Sequence, residues 1–282
     1  MSMSTSKAYG IAIALLIVGL ILGYAIGVYT APAPSPGGGG GGGGGAPPAG
    51  LTGEVKVGAL LSLTGVLSTY GENSEVALEL AEKEINDWLK AVGEDWTFKI
   101  VVEDTATDPT TAVAKIQALH GQGILFYIGP MTSAEVKEVK SYADDNGLIV
   151  ISQSSTSPAL AIAGDSIFRF CPTDEVQGPA AARTLYDLGA RWVVPFWRGD
   201  TWGDGLKEAQ EEAFNKILQA TGEEGGFVEG IRYDPSATEF STQVAQLADI
   251  VQNLINEHGA DKVGVAYIGF EEVVAVFTAA KD

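Results

Sequence analysis

From Leu51 onward the sequence switches repeatedly between two hydrophobic periods, and this alternation most narrows the folds open to it. EVKVGALLSL (54–63), TFKIVVED (97–104), ILFYIG (124–129) and LIVIS (148–152) read as strands. Between them, ENSEVALELAEKEINDWLKAVG (72–93) places Val76, Leu80, Trp88 and Leu89, with Ile85 and Val92, on one helical face. DPTTAVAKIQALHGQG (108–123) opens with Asp108 as N-cap and Pro109 at the first helical position, and SAEVKEVKSYADDNG (133–147) closes on Asn146-Gly147. After FRFCPTDE (168–175) the pattern restarts: helix 178–189, strand 191–197, helix 203–222, strand 225–234, helix 239–259, strand 261–269. Strands separated by helices of this length need crossovers, so a parallel sheet follows. Two such runs in succession predict an α/β chain of two lobes, 53–170 and 171–282, with a cleft between them.

The segment before this region has another character. Tyr9 to Tyr29 is uncharged and apolar, and as a helix rises about 31 Å, enough to cross a bilayer core. Lys7 places residues 1–8 on the cytoplasmic side, 9–29 as a transmembrane anchor or signal, and everything downstream outside. The length favours an uncleaved anchor over a cleaved signal peptide, and Thr30-Ala31-Pro32 is a poor cleavage site. Residues 30–52 carry a run of glycines flanked by prolines, a composition that buries nothing and acts as a tether.

Charge and rare residues exclude much chemistry. The formal net charge is −19, and Lys7 is the only charged residue before Glu54. Such an acidic exterior repels phosphate backbones, so nucleic-acid binding is not expected. Cys171 is the single cysteine, which rules out an internal disulfide or a thiolate zinc cluster. His120 and His258 each end a helix, where the dipole favours them. The chain has no G-x-S-x-G, P-loop, H-E-x-x-H or G-x-G-x-x-G. Asp200 and Asp204 lack the spacing of a calcium loop, and the tripeptide Arg198-Gly199-Asp200 carries no weight by itself. Catalytic residues, metal ligands and cofactors are therefore not expected.

What stands out is NGLIVISQSSTSPAL (146–160), where an apolar strand runs into Ser152, Gln153, Ser154, Ser155, Thr156 and Ser157. Parallel sheets collect ligands at the carboxyl ends of their strands, beside helix N-termini. Two strand-to-helix turns meet that description: IGPMTSAEV, with Ser133 as N-cap, and ISQSSTSPAL, with Thr156 or Ser157 capping a short helix at Pro158. A zwitterion held there would find donors for its carboxylate, and in Thr156 an acceptor for its ammonium. Simple helix capping by the same residues remains open on these grounds alone.

In that order, EVKVGALLSLTGVLSTYGENSEVALELAEKEIN, VEDTATDPTTAVAKIQAL, IGPMTSAEV, VISQSSTSPAL, FRFCPTDEVQGPAAA and DTWGDGL resemble the branched-chain amino-acid (Leu/Ile/Val) type solute-binding proteins of ABC transporters, over residues 54–282. The resemblance implies the two-lobed type I periplasmic-binding-protein fold, with parallel sheets flanked by helices. It assigns ligand α-carboxylate and α-amino contacts to Ser133 and Thr156, and a backbone carbonyl to Ser154. Tyr70, Trp202 and Phe270 fall where family aromatics close over the ligand. Trp202 is larger than the usual tyrosine, and the disulfide that some members form between the loops of Ala106 and Thr132 has no counterpart. EEVVAVFTAAKD (271–282) reads as the opening of a helix, so the resemblance also implies a second lobe incomplete at its C-terminus.

The function expected is an extracellular, membrane-tethered binding protein that delivers a branched-chain amino acid, or a related amino acid or amide, to an ABC permease. The rivals are a ligand-sensing ectodomain and a non-binding surface protein on the same fold.

Overall fold

The computed structural model describes residues 51–281. The expected span over residues 9–29, and all but the last two residues of the 30–52 linker, lie outside the described residues. Among those described, no helix is long and apolar enough to cross a membrane. The chain divides into two compact units, residues up to 57 with 75–101, and residues 58–74 with 102–282.

The alternation is present throughout. In order the elements are β1 (Gly53–Leu61), α1 (Ser68–Val92), β2 (Trp96–Asp104), α2 (Pro109–His120), β3 (Phe126–Ile128), α3 (Ser133–Asn146), β4 (Ile149–Ser152), a 3-10 turn (Pro158–Leu160) and β5 (Ile167–Arg169). There follow α4 (Asp174–Asp187), β6 (Trp192–Arg198), α5 (Thr201–Thr221), β7 (Gly226–Phe227), β8 (Ile231–Tyr233), α6 (Ser241–His258), a 3-10 turn (Ala260–Lys262), β9 (Val263–Ile268) and α7 (Val273–Lys281). One sheet has the order β2-β1-β3-β4-β5. The pairs from β1 to β3, β3 to β4 and β4 to β5 are parallel. In the other, β6 pairs in parallel with β7 at its start, β8 at its end and β9 along most of its length.

The single strand expected over 225–234 is in fact two, and Pro195 supplies the reason. It sits in the middle of β6 and has no N–H to give the ladder, while a Cβ on Gly230 would lie 2.0 Å from the Pro195 carbonyl oxygen. The neighbouring chain therefore pairs before and after this point, at Val193↔Phe227 and again at Phe196↔Ile231. Around β6 two apolar clusters form. One gathers Ala182, Val193, Phe214, Leu218 and Ala266, the other Phe196, Tyr233, Phe240, Val244 and Val276.

Some helix ends follow the sequence signals and others do not: α4 begins at Asp174 rather than 178, capped by Thr173, and α5 at Thr201 rather than 203, capped by Asp200. Asp108 caps α2 by accepting from the Thr111 N–H, and Gly147 ends α3 in the left-handed region at φ 63°. The N-cap of α3, however, is Thr132 rather than Ser133. Thr132 and Glu135 form a reciprocal capping box, which needs an acid three residues after the cap, and only position 132 has one. Ser157 does occupy the cap position of the 3-10 turn but makes no side-chain cap bond there.

In the smaller unit, α1 departs from the single apolar face expected. Ile85 and Leu89 are buried, whereas Val76, Leu80, Trp88 and Val92 are exposed. These four lie at multiples of four along the helix, a row offset from the Ile85/Leu89 pair, so one pattern holds two stripes. β2 is an edge of its sheet, and α1 shields it with polar side chains. Asn86 accepts the Phe98 N–H at 2.8 Å and donates to the Phe98 carbonyl at 2.8 Å, while Glu82 accepts the Ile100 N–H at 2.7 Å. An edge strand satisfied this way offers fewer free groups to another chain. Asn86→Ala is expected to lower the unfolding free energy by about 1–3 kcal/mol in a urea titration, because two backbone groups lose their partner; an unchanged midpoint would show that water replaces the amide without cost.

Candidate functional site

In the larger unit the loop after β1 and the turn after β2 are tied together. The Asp104 carboxylate accepts the Thr64 N–H at 3.1 Å, the Thr64 hydroxyl at 2.7 Å and the Ala106 N–H at 2.8 Å. Burial opposes its ionisation, yet these bonds outweigh burial and hold the carboxyl below the ordinary aspartate value. The turn passes through the left-handed region at Ala106 and Thr107, φ 54° and 57°, a conformation costly without a glycine. Thr107 stabilises it by donating to the Thr64 carbonyl and accepting from the Leu67 N–H. This lock fixes the start of α1, where Tyr70 stands 56% exposed.

The two hydroxyl-rich turns are also joined. The Ser133 hydroxyl lies 2.9 Å from that of Ser155 and accepts the Ser157 N–H at 3.3 Å. Ser154 donates to the Met131 carbonyl at 2.7 Å, and Ser152 to the Pro130 carbonyl at 2.6 Å. Ser133 is only 2% exposed, so its hydroxyl is engaged locally rather than free in a cavity. Beneath the first turn, Glu135 takes the Thr132 N–H and hydroxyl at 2.9 and 2.7 Å, and burial raises its carboxyl above the ordinary glutamate value. Thr156 donates instead to Asp174 at 2.9 Å, whose carboxyl burial likewise raises.

Beyond β6 the geometry is built on ion pairs. Asp200 caps α5, accepting the N–H groups of Trp202 and Gly203 at 3.0 and 2.9 Å, and its other oxygen binds Arg198 Nε at 2.6 Å. Arg198 Nη1 reaches Glu272 at 2.9 Å, and the Tyr233 hydroxyl donates to the same Glu272 oxygen at 2.9 Å. The Arg198 guanidinium lies 4.7 Å from the centre of the Phe270 ring, which stacks on Trp202 at 4.6 Å with 13° between planes. Gly203 permits this arrangement: a Cβ there would sit 2.0 Å from the Arg198 carbonyl oxygen. The Arg198-Gly199-Asp200 tripeptide is thus structural, with Arg198 6% exposed.

The six expected residues therefore fall in four places. Ser133 and Ser154 belong to the joined turns, Trp202 and Phe270 form one stack, and Thr156 pairs with Asp174, while Tyr70 stands exposed at the start of α1. The Ser157 hydroxyl links the joined turns to the start of α5 by donating to the Thr201 carbonyl at 2.9 Å. Beside that link lies a crevice of about 530 Å3 lined by Pro109, Ala134, Lys137, Asp200, Asp204 and Arg232 among others, and none of the six expected residues lines it. Arg232 binds Asp204 through two bonds of 2.8 Å, and this pairing, ahead of burial, keeps the Asp204 carboxyl below its ordinary value. Sequence reasoning missed Asp174, Arg198 and Glu272. Asp174 was hidden in the link FRFCPTDE, ahead of the helix expected from 178, and Arg198 by its place in a common tripeptide. The helix-ending histidines do have partners: His120 Nδ1 lies 2.8 Å from the Tyr142 hydroxyl, and His258 stacks on Trp192 at 4.2 Å.

Comparison with known proteins places this arrangement. Residues 54–281 match the family described as periplasmic binding protein. Over 234 residues the chain is 38% identical to an uncharacterized protein of Methanocaldococcus jannaschii, covering 81% of this chain and 54% of that one. Over 199 residues it is 27% identical to the Leu/Ile/Val-binding protein of Escherichia coli, covering 70% of this chain and 52% of that one. It is also similar to the solved leucine-binding protein of Thermotoga maritima, with a TM-score of 0.59 and 26% identity over 69% of this chain and 53% of that one. The chain thus spans about half the length of the curated relatives it matches. The match over nearly every described residue, with parallel sheets flanked by helices as in the type I fold, shows that the chain belongs to the periplasmic binding protein family.

Proposed function

We propose that the protein is the solute-binding component of an ABC transporter, holding a branched-chain amino acid, or a related amino acid or amide, and delivering it to the permease. The observation that carries this reading is the joining of the two hydroxyl-rich turns through Ser133, Ser155 and Ser157. A ligand carboxylate would replace the Ser155 hydroxyl as the partner of Ser133, and charge-assisted bonds are stronger than the neutral one displaced. Thr156 and the Ser154 carbonyl take the ammonium, while Tyr70, Trp202 and Phe270 cover the side chain. The names of the Escherichia coli and Thermotoga maritima relatives support the ligand class. Binding and release are enough for this role, with no covalent step.

In the same reading residues 9–29 anchor the protein, 30–52 tether it outside the cytoplasmic membrane, and the lobes 53–170 and 171–282 move against each other as the ligand binds. Calorimetry of the chain with amino acids, amides and urea tests the proposal. A saturable heat from a small aliphatic amino acid, weakened about tenfold or more by Ser133→Ala, is the expected result. No heat with any of these compounds would remove the ligand class.

A further inference from the structure

Asp174 and Thr156 are bound to each other twice. The Asp174 N–H donates to the Thr156 carbonyl at 3.0 Å, and the Thr156 hydroxyl donates to Asp174 Oδ2 at 2.9 Å. Asp174 is completely buried, and its second oxygen, Oδ1, is buried without a hydrogen-bond partner. The residues either side of Thr156 are gripped by the same segment. Arg169 Nη1 donates to the carbonyls of Ser155 and Ser157 at 3.2 and 2.6 Å, and Cys171 Sγ donates to the Ser155 carbonyl at 3.1 Å. The Thr156 side chain thus sits on a held backbone, with a fixed acceptor beside it.

A threonine hydroxyl has one proton and two lone pairs. Once the proton is given to Asp174, the oxygen has only acceptor capacity left for anything else that reaches it. We propose that Asp174 is a positioning residue that sets the polarity of Thr156, so that this point of the site takes an N–H or ammonium group and refuses a carboxylate or carbonyl oxygen. The inference rests on the reading of Thr156 as the ammonium contact and adds to it the residue that makes that contact selective. In the sequence Asp174 stands in the link before the helix expected from 178, where nothing marks it as the partner of Thr156.

The test uses the full chain with two probes, leucine and 2-hydroxy-4-methylpentanoate, in which a hydroxyl replaces the ammonium. That hydroxyl can donate or accept, so it adapts to either polarity of Thr156. Asp174→Ala is expected to weaken leucine about tenfold, the effect of losing one correctly oriented contact, and to change the hydroxy acid by less than about a factor of two. Thr156→Val, at a half-buried position, provides a second variant should Asp174→Ala fold poorly, and should weaken leucine to the same degree. The double variant should then be no worse than either single one, because the two residues act as a unit. Equal losses for both probes, or additive losses in the double variant, would overturn the role of Asp174 while leaving amino-acid binding intact. Failure of the unmodified chain to bind leucine would overturn it together with the reading it rests on.

Discussion

Arg198→Met is expected to lower the unfolding free energy by about 3–5 kcal/mol. Arg198 is 6% exposed and lies between two carboxylates, Asp200 and Glu272, whose side chains are 10% and 7% exposed. Removing the cation leaves both acids out of water without their shared counter-charge. The Tyr233 hydroxyl still donates to Glu272, and the Trp202 and Gly203 N–H groups still donate to Asp200, so some compensation remains. It does not replace a positive charge. The same substitution removes the cation from the face of Phe270 and so loosens the Trp202 stack. Urea denaturation of Arg198→Met, and of the same variant carrying Asp200→Asn and Glu272→Gln, checks the cause. The neutralised triple variant should recover a large part of the loss; if it recovers none, packing rather than uncompensated charge is responsible.

Phe196→Ala should cost a similar amount, about 3–5 kcal/mol, for an apolar reason. Phe196 is 1% exposed on the central strand β6, with Tyr233, Tyr267 and Phe240 edge-on at 5.2, 5.8 and 6.4 Å. Truncation opens a cavity among rings that are themselves held by bonds to one another and to Glu272, so collapse into the space is limited. Tyr233 touches both Phe196 and Glu272, which predicts that the Phe196 and Arg198 substitutions are not additive. Denaturant midpoints at unchanged slope check this. A loss under about 1 kcal/mol would mean that the cluster repacks freely.

These two residues also mark the limit of what the sequence discloses. Period and punctuation were enough for most of the elements, though β5 (Ile167–Arg169) and the first turn of α4 fall where the sequence reads as the link FRFCPTDE. Asp108-Pro109 opened α2 and Asn146-Gly147 closed α3, because caps and left-handed turns are local needs that local residues meet. The split of 225–234 was not legible, since it depends on a proline in a different strand. Nor was the double stripe of α1, where a periodic run of apolar residues does not say which row is covered.

In the candidate site the hydroxyls were legible because a polar run after a buried strand has no packing explanation. Their partners were not. Ser133 reaches Ser155 and Ser157, and Thr156 reaches Asp174, contacts between residues 18 to 24 positions apart that only the folded chain brings together. The Arg198 cluster was hidden for the same reason, its Glu272 partner lying 74 residues on. Nothing about the charges of either residue alone distinguishes a buried pair from a solvated one.

All of the functional account depends on Ser133 exchanging a neighbouring hydroxyl for the carboxylate of a small amino acid. The most direct measurement is the leucine affinity of the chain and of Ser133→Ala by isothermal titration calorimetry, beside leucinamide, which lacks the carboxylate. The account predicts saturable leucine binding, a loss of about tenfold or more on Ser133→Ala, and weak leucinamide binding that the substitution hardly alters. Leucine affinity that is the same in both proteins, or leucinamide bound as tightly as leucine, would contradict it.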